Sequence, residues 1–249
     1  MTRLLLVPIA LLALIAGGCG DARDPLASLD LAAKRSGEVD SIRQSITMKT
    51  DFEGEQMSLE GEGAFTADSL DGEMTATMVA AGEELEFEVI SVGGTMYMRS
   101  DDLPLPGGKE WMKTEDTPVS SLEPDEFVRH LRESQNVENV GDEEIRGEPT
   151  THFRGPIDLE KLFEASFGSD MAEQFKQIPN VRQYAMTIDV WVREDGLPAR
   201  VGMKLTAPEN VDGEMTMTAD FLEYDVPIEV EAPPSGKVID ESELAGQSS

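Results

Sequence analysis

The chain has 249 residues, with 20 Lys and Arg against 50 Asp and Glu, for a formal net charge of −30. A field of that sign repels polyphosphates and anionic headgroups, which excludes a nucleic-acid partner and a polybasic membrane patch. The 39% hydrophobic content supplies a sizeable core and excludes wholesale disorder.

At the N-terminus a single basic residue, Arg3, precedes an apolar run from Leu4 to Ile15 broken only by Pro8. Small residues Ala16, Gly17 and Gly18 then lead into Cys19, the pattern of a cleavable export signal (residues 1–18) with a lipoprotein box. The run is too short to span a bilayer, which takes about 20 residues. Cys19 is the only cysteine and so cannot form an intramolecular disulfide; acylation accounts for a lone thiol in an exported chain. Residues 19–25 then read as a lipidated N-terminus and polar tether.

A first amphipathic helix is expected from Pro25 to Lys34, with Pro25 in its first turn. From Ser45 the period changes to two. Ile46, Met48, Thr50 and Phe52 alternate with polar residues, as do Met57 to Phe65, Met74 to Met78 and Leu85 to Val89. Gly-containing turns separate them, and a further pair, Thr95 to Ser100 and Lys109 to Lys113, flanks a Pro- and Gly-rich loop. This is an antiparallel meander with one wet and one apolar face.

A helix is predicted over Pro124 to Glu133, with Phe127, Val128 and Leu131 as its stripe. Short extended pieces follow at Val137 to Arg146 and Thr150 to Gly155, then two more helices from Asp158 and Ser169. Alternation returns at Tyr184 to Arg193, Val201 to Leu205 and Met215 to Phe221. A last extended piece is expected at Pro227 to Val230, and residues 241–249 read as a disordered acidic tail. About ten one-faced strands and one-sided helices are reconciled by an α+β fold. It is a single curved antiparallel sheet, a half-barrel, with helices packed on its concave face over residues 26–240.

Catalytic chemistry finds little material. The two histidines, His130 and His152, have no second ligand at metal spacing, and no Gly-x-Ser-x-Gly elbow or second thiol exists. The sequence therefore points to no enzyme, no metal and no cofactor. Methionine is more informative: 13 occur, nearly all on the apolar parity of strands. Thioether pairs such as Met215 and Met217 could serve copper only if they converged, and core filling explains them without metal. Flexible, polarisable Met also suits a surface that accepts varied apolar ligands. Small residues on the same face, Gly61, Gly63, Ala76 and Ala219, would leave room for acyl chains. Strand parity then nominates Met74, Met78, Phe87, Val89, Met186, Ile188, Val190, Met203, Leu205, Met215 and Met217 as cavity lining. The same residues fit a closed core equally well.

Several segments carry a family likeness: Gly93 to Arg99 with Glu110 to Lys113, Gly147 to Leu159, Val190 to Val192 with Asp195 to Pro198, and Tyr224 to Pro227 running to Ala232, Pro233 and Pro234. On these the chain resembles the actinobacterial LppX/LprA/LprF/LprG lipoproteins, a branch of the LolA/LolB-like fold, over about Leu26 to Asp240. The resemblance implies a half-barrel around an apolar cavity for lipid, glycolipid or lipoglycan. It further implies attachment to the outer side of the cell membrane through Cys19, carriage across the envelope, and an envelope transporter as partner. Related folds also sense envelope stress. That keeps a second expectation open, a sensor or protein-interaction lipoprotein with a closed core and no lipid cargo.

Overall fold

The computed structural model describes residues 24–114, 124–134, 136–159, 183–208 and 211–247. Cys19 and nearly all of the two helices expected after Asp158 lie outside them. Helix α1 (Pro25–Ser36) starts where expected. The Asp24 carboxylate accepts from the Leu26 N–H as its cap, Pro25 occupies the first turn, and Lys34 and Arg35 sit at its negative end.

Strands β1 (Ser41–Phe52), β2 (Glu55–Thr66), β3 (Gly72–Ala80), β4 (Glu83–Val92), β5 (Thr95–Arg99) and β6 (Trp111–Thr114) form the meander. Helix α2 (Pro124–Glu133) follows, then β7 (Glu138–Ile145), β8 (Glu148–Ile157), β9 (Ala185–Arg193), β10 (Pro198–Thr206) and β11 (Gly213–Tyr224). Two-residue turns join several neighbours. Glu53-Gly54 and Ala81-Gly82 place both central residues at positive φ, the geometry that matches the twist of the flanking strands.

All strands among the described residues, with β12 (Val238–Asp240) as the last, belong to one unclosed, curved sheet in the order β12-β6-β5-β4-β3-β2-β1-β11-β10-β9-β8-β7. β1 is central because it pairs antiparallel with both β2 and β11, tying the first half of the chain to the last. Twelve strands stand among the described residues where about ten were expected, and the three-residue strand at the far edge is the one that alternation does not reach.

Two C-terminal expectations are corrected. Pro227 to Val230 is not a strand: it is part of a strap that leaves β11, crosses the polar face and returns the chain to the far edge. The strap starts where the Ser41 hydroxyl donates to the Val226 carbonyl (2.5 Å), and Pro227 to Val230 face Glu62, Glu73 and Glu88 across a cavity of about 790 Å³. Its end forms β12 (Val238–Asp240), parallel to β6, held by Lys113 to Asp240 at 3.3 Å and Lys237 to Glu110 at 2.5 Å. Glu241–Gln247 then forms a short helix, α3, where a disordered tail was expected.

The core lies under α1 and α2. α2 packs on β8, β9 and β10 and against α1. Leu29 and Ala32 of α1, and Phe127, Val128 and Leu131 of α2, meet Phe153, Ile188, Val190 and Val201 of the sheet. Gly155 makes this approach possible: a Cβ there would lie 2.7 Å from the Leu131 side chain. Among the described residues, no helix is long and apolar enough to cross a membrane.

Candidate functional site

Strand register assembles the nominated residues. Phe87, Ala76, Gly61, Ile46, Ala219, Val201, Val190 and Phe153 form one continuous row across eight strands. The next row runs Met78, Leu59, Met48, Met217, Met203 and Ile188, and the one beyond it contains Met57, Met215, Leu205 and Met186. Met74 and Val89 lie in the row on the other side, beside Gly63. All eleven nominated side chains therefore share the apolar face.

Burial divides them. Met186, Ile188, Val190 and Met217 are buried in the core beneath the helices. Met74, Met78, Phe87, Val89, Met203, Leu205 and Met215 are only half-buried. Going from β9 toward β4 along a row, packing gives way to a methionine-rich surface that keeps part of its area open.

One expectation about this face is corrected. Gly61 and Gly63 do not provide room for acyl chains. A Cβ on Gly63 would lie 2.5 Å from the Glu73 carbonyl oxygen and 2.7 Å from Met74 Cβ, and one on Gly61 would meet Ala76 and Met74 at 3.1 Å. These glycines let β3 approach and Met74 fold over them. Ala219 is fully buried.

The face also holds a polar exception. Gln44, next to Ile42 and Ile46 in the alternation of β1, is 8% exposed, and its Oε1 has no hydrogen-bond partner among the described residues. An unpaired buried acceptor costs about 1–3 kcal/mol. Alternating hydrophobicity could not flag it, because a single glutamine in a strand looks like a solvent-facing residue.

The polar face carries a charged ladder that the sequence reading missed. His152 on β8 is 3% exposed, with Nδ1 2.7 Å from Glu143 Oε1 on β7 and Nε2 2.5 Å from Asp189 Oδ1 on β9. The ring thus bridges carboxylates of the two flanking strands, one at each nitrogen. Arg154 Nε donates to the same Asp189 oxygen at 2.6 Å, and the Trp191 indole stacks on the imidazole at 4.2 Å. Arg200 continues the ladder with paired bonds of 2.6 and 2.9 Å to Asp220. The hydrogen bond from His152 holds the Glu143 carboxyl below the usual carboxylate range. With every charge answered by its neighbour, this arrangement braces β7 to β11 from outside. His130, on α2, has a buried Nε2 without a partner among the described residues.

No protein-family profile matches the chain. A Streptomyces coelicolor protein classed as a candidate lipoprotein is 26% identical over 90% of this chain and 77% of its own length. A Streptomyces griseus protein described as an uncharacterized 31.2 kDa protein is 24% identical, over 90% and 81%. Among solved structures, the Mycobacterium tuberculosis lipoprotein LppX superposes with a TM-score of 0.52 at 14% identity, covering 83% of this chain and 98% of LppX. The chain has the LppX fold. The LppX fold fits the one-sheet topology and the helix-covered apolar face, as the sequence resemblance implied.

Proposed function

We propose that this protein is a lipoprotein, anchored through Cys19 at the extracytoplasmic face of the cell membrane, that binds acyl-chain lipids and carries them across the envelope. The observation that carries the reading is the half-buried, methionine-rich stretch of sheet face running from Met203 and Met215 to Met78 and Phe87. Thioether side chains adapt to apolar chains of varied shape without a fixed pocket geometry. The LppX fold and the Streptomyces lipoprotein relative support the anchoring, and the helix-covered face supplies the water-shielded side. Lipid, glycolipid and lipoglycan all present the acyl chains such a face would hold. An envelope transporter would supply or receive them.

The test is lipid content. The full chain, produced in a bacterium that acylates it, should yield bound lipid on organic extraction and as added mass by native mass spectrometry. A Met78→Arg/Phe87→Arg variant places two charges on the half-buried face and should lose about tenfold or more of that load, with its circular dichroism unchanged. A wild-type chain that stays lipid-free, or a variant that loads fully, overturns the reading.

A further inference from the structure

We infer that apolar cargo enters through an opening at one end of the sheet, and that this port selects lipids with uncharged, hydroxyl-bearing headgroups. The inference rests on the lipid-carrier reading above.

The opening is a cavity of about 580 Å³ where the end of α1, the start of β1, the β2–β3 turn and the start of α2 converge. Its floor is apolar: Val39 and Ile42 are 8% and 7% exposed and belong to the core cluster. Ile42 lies on the same sheet face as the methionine rows, so a chain passing over it reaches that face directly. The rim is tied down by hydrogen bonds from main-chain N–H groups. The Ala67 N–H donates to the Asp40 carbonyl at 2.9 Å, and the Asp40 N–H to the Asp225 carboxylate at 2.9 Å. A fixed rim sets a fixed field.

That field is negative. Among the described residues, Asp40, Asp68 and Asp125 line the opening, with no Lys or Arg beside them. Asp125 has Arg129 at 3.8 Å, while Asp40 and Asp68 have no ion pair among the described residues. The chain's net charge of −30 reinforces the local sign. An anionic phosphodiester pausing here meets repulsion at short range, where salt screens least.

Gln44 supplies an independent indication of what is admitted. It lies two residues beyond Ile42 on the same strand face, about 7 Å further in. The residue is 8% exposed, and its buried amide oxygen, without a partner among the described residues, calls for a donor. A lipid hydroxyl at the junction of headgroup and acyl chains would provide one, and an anionic phosphate, which only accepts, would not.

Dioleoylglycerol and dioleoylphosphatidylglycerol share their acyl chains and are the probes, offered separately to the full chain and read by native mass spectrometry. The wild type should load the uncharged probe at least about tenfold more than the anionic one. Asp68→Asn/Asp125→Asn, which preserves side-chain size, should raise phosphatidylglycerol loading about fivefold, and Gln44→Leu should lower dioleoylglycerol loading several-fold. Ala67→Trp at the rim should slow uptake of both probes without lowering thermal stability. Equal loading of the two probes by the wild type, no response to the aspartate changes, or unchanged uptake in Ala67→Trp overturns the port. Loading without discrimination defeats this inference alone, whereas no loading of either probe defeats the carrier reading with it.

Discussion

Asp189→Ala is expected to lower the unfolding free energy by about 3 kcal/mol, the cost of removing one member of a buried charged set. Asp189 is 7% exposed and pairs with both His152 Nε2 and Arg154, so its loss leaves that ring edge and the guanidinium facing each other, with Glu143 at the far nitrogen as the one carboxylate still on the imidazole. Equilibrium urea unfolding, read as a shift in midpoint at constant slope, measures it. A change under about 0.5 kcal/mol would show that the ladder is a surface ornament. Replacing the hub with apolar groups, His152→Leu with Asp189→Leu, should recover most of the loss, since no buried charge is then stranded. Glu143 adds a pH dependence of definite sign. Its folded carboxyl titrates below its unfolded value, so its contribution is present above the unfolded value and is lost as pH falls through the folded one. The stability gap between wild type and Glu143→Gln should accordingly close on acidification.

The second large effect is a contrast within a single row of the sheet. Phe153→Ala should cost about 3–5 kcal/mol, because Phe153 is the largest fully buried side chain among the described residues and its removal leaves a cavity beneath α2. Phe87, seven strands away in the same row, is half-buried, and Phe87→Ala should cost about 1 kcal/mol. The difference locates the end of the packed core and the start of the open face. Equal costs at the two positions would mean that the face over β3 and β4 is packed as tightly as the rest. That outcome favours a closed interior, and with it the sensor expectation.

Much of this architecture is legible in the residue pattern, for identifiable reasons. Each long strand has one dry and one wet side, so alternation over Ile46 to Phe52 or Tyr184 to Val192 both finds the strand and assigns its faces. α2 is found to the residue because Pro124 and the Phe127, Val128 and Leu131 stripe signal together. β12 escapes because three residues carry no period, and Pro227 to Val230 imitates a strand because Ile228 and Val230 alternate with Pro227 and Glu229. Parity likewise places all eleven nominated residues on one face, the apolar one. It could not divide them into core and open surface, because helix coverage is a tertiary fact. The ladder around His152 was hidden for a related reason: Glu143 and Asp189 are 9 and 37 residues from it in sequence, among dozens of other acids.

The central position of β1 sets the order in which the molecule can be assembled. Hairpin by hairpin, β1 to β6 form from neighbours in sequence and can be complete early. The other side of β1 has to wait for β11, whose first paired residue, Gly213, matches Phe52. Until then a twelve-residue strand with free main-chain groups stands at the margin of a half-built sheet, a template for pairing with another unfinished copy. Arg43, Lys49 and Asp51 along that strand keep the waiting edge charged, so the late closure is guarded by the same polar face that later takes the strap.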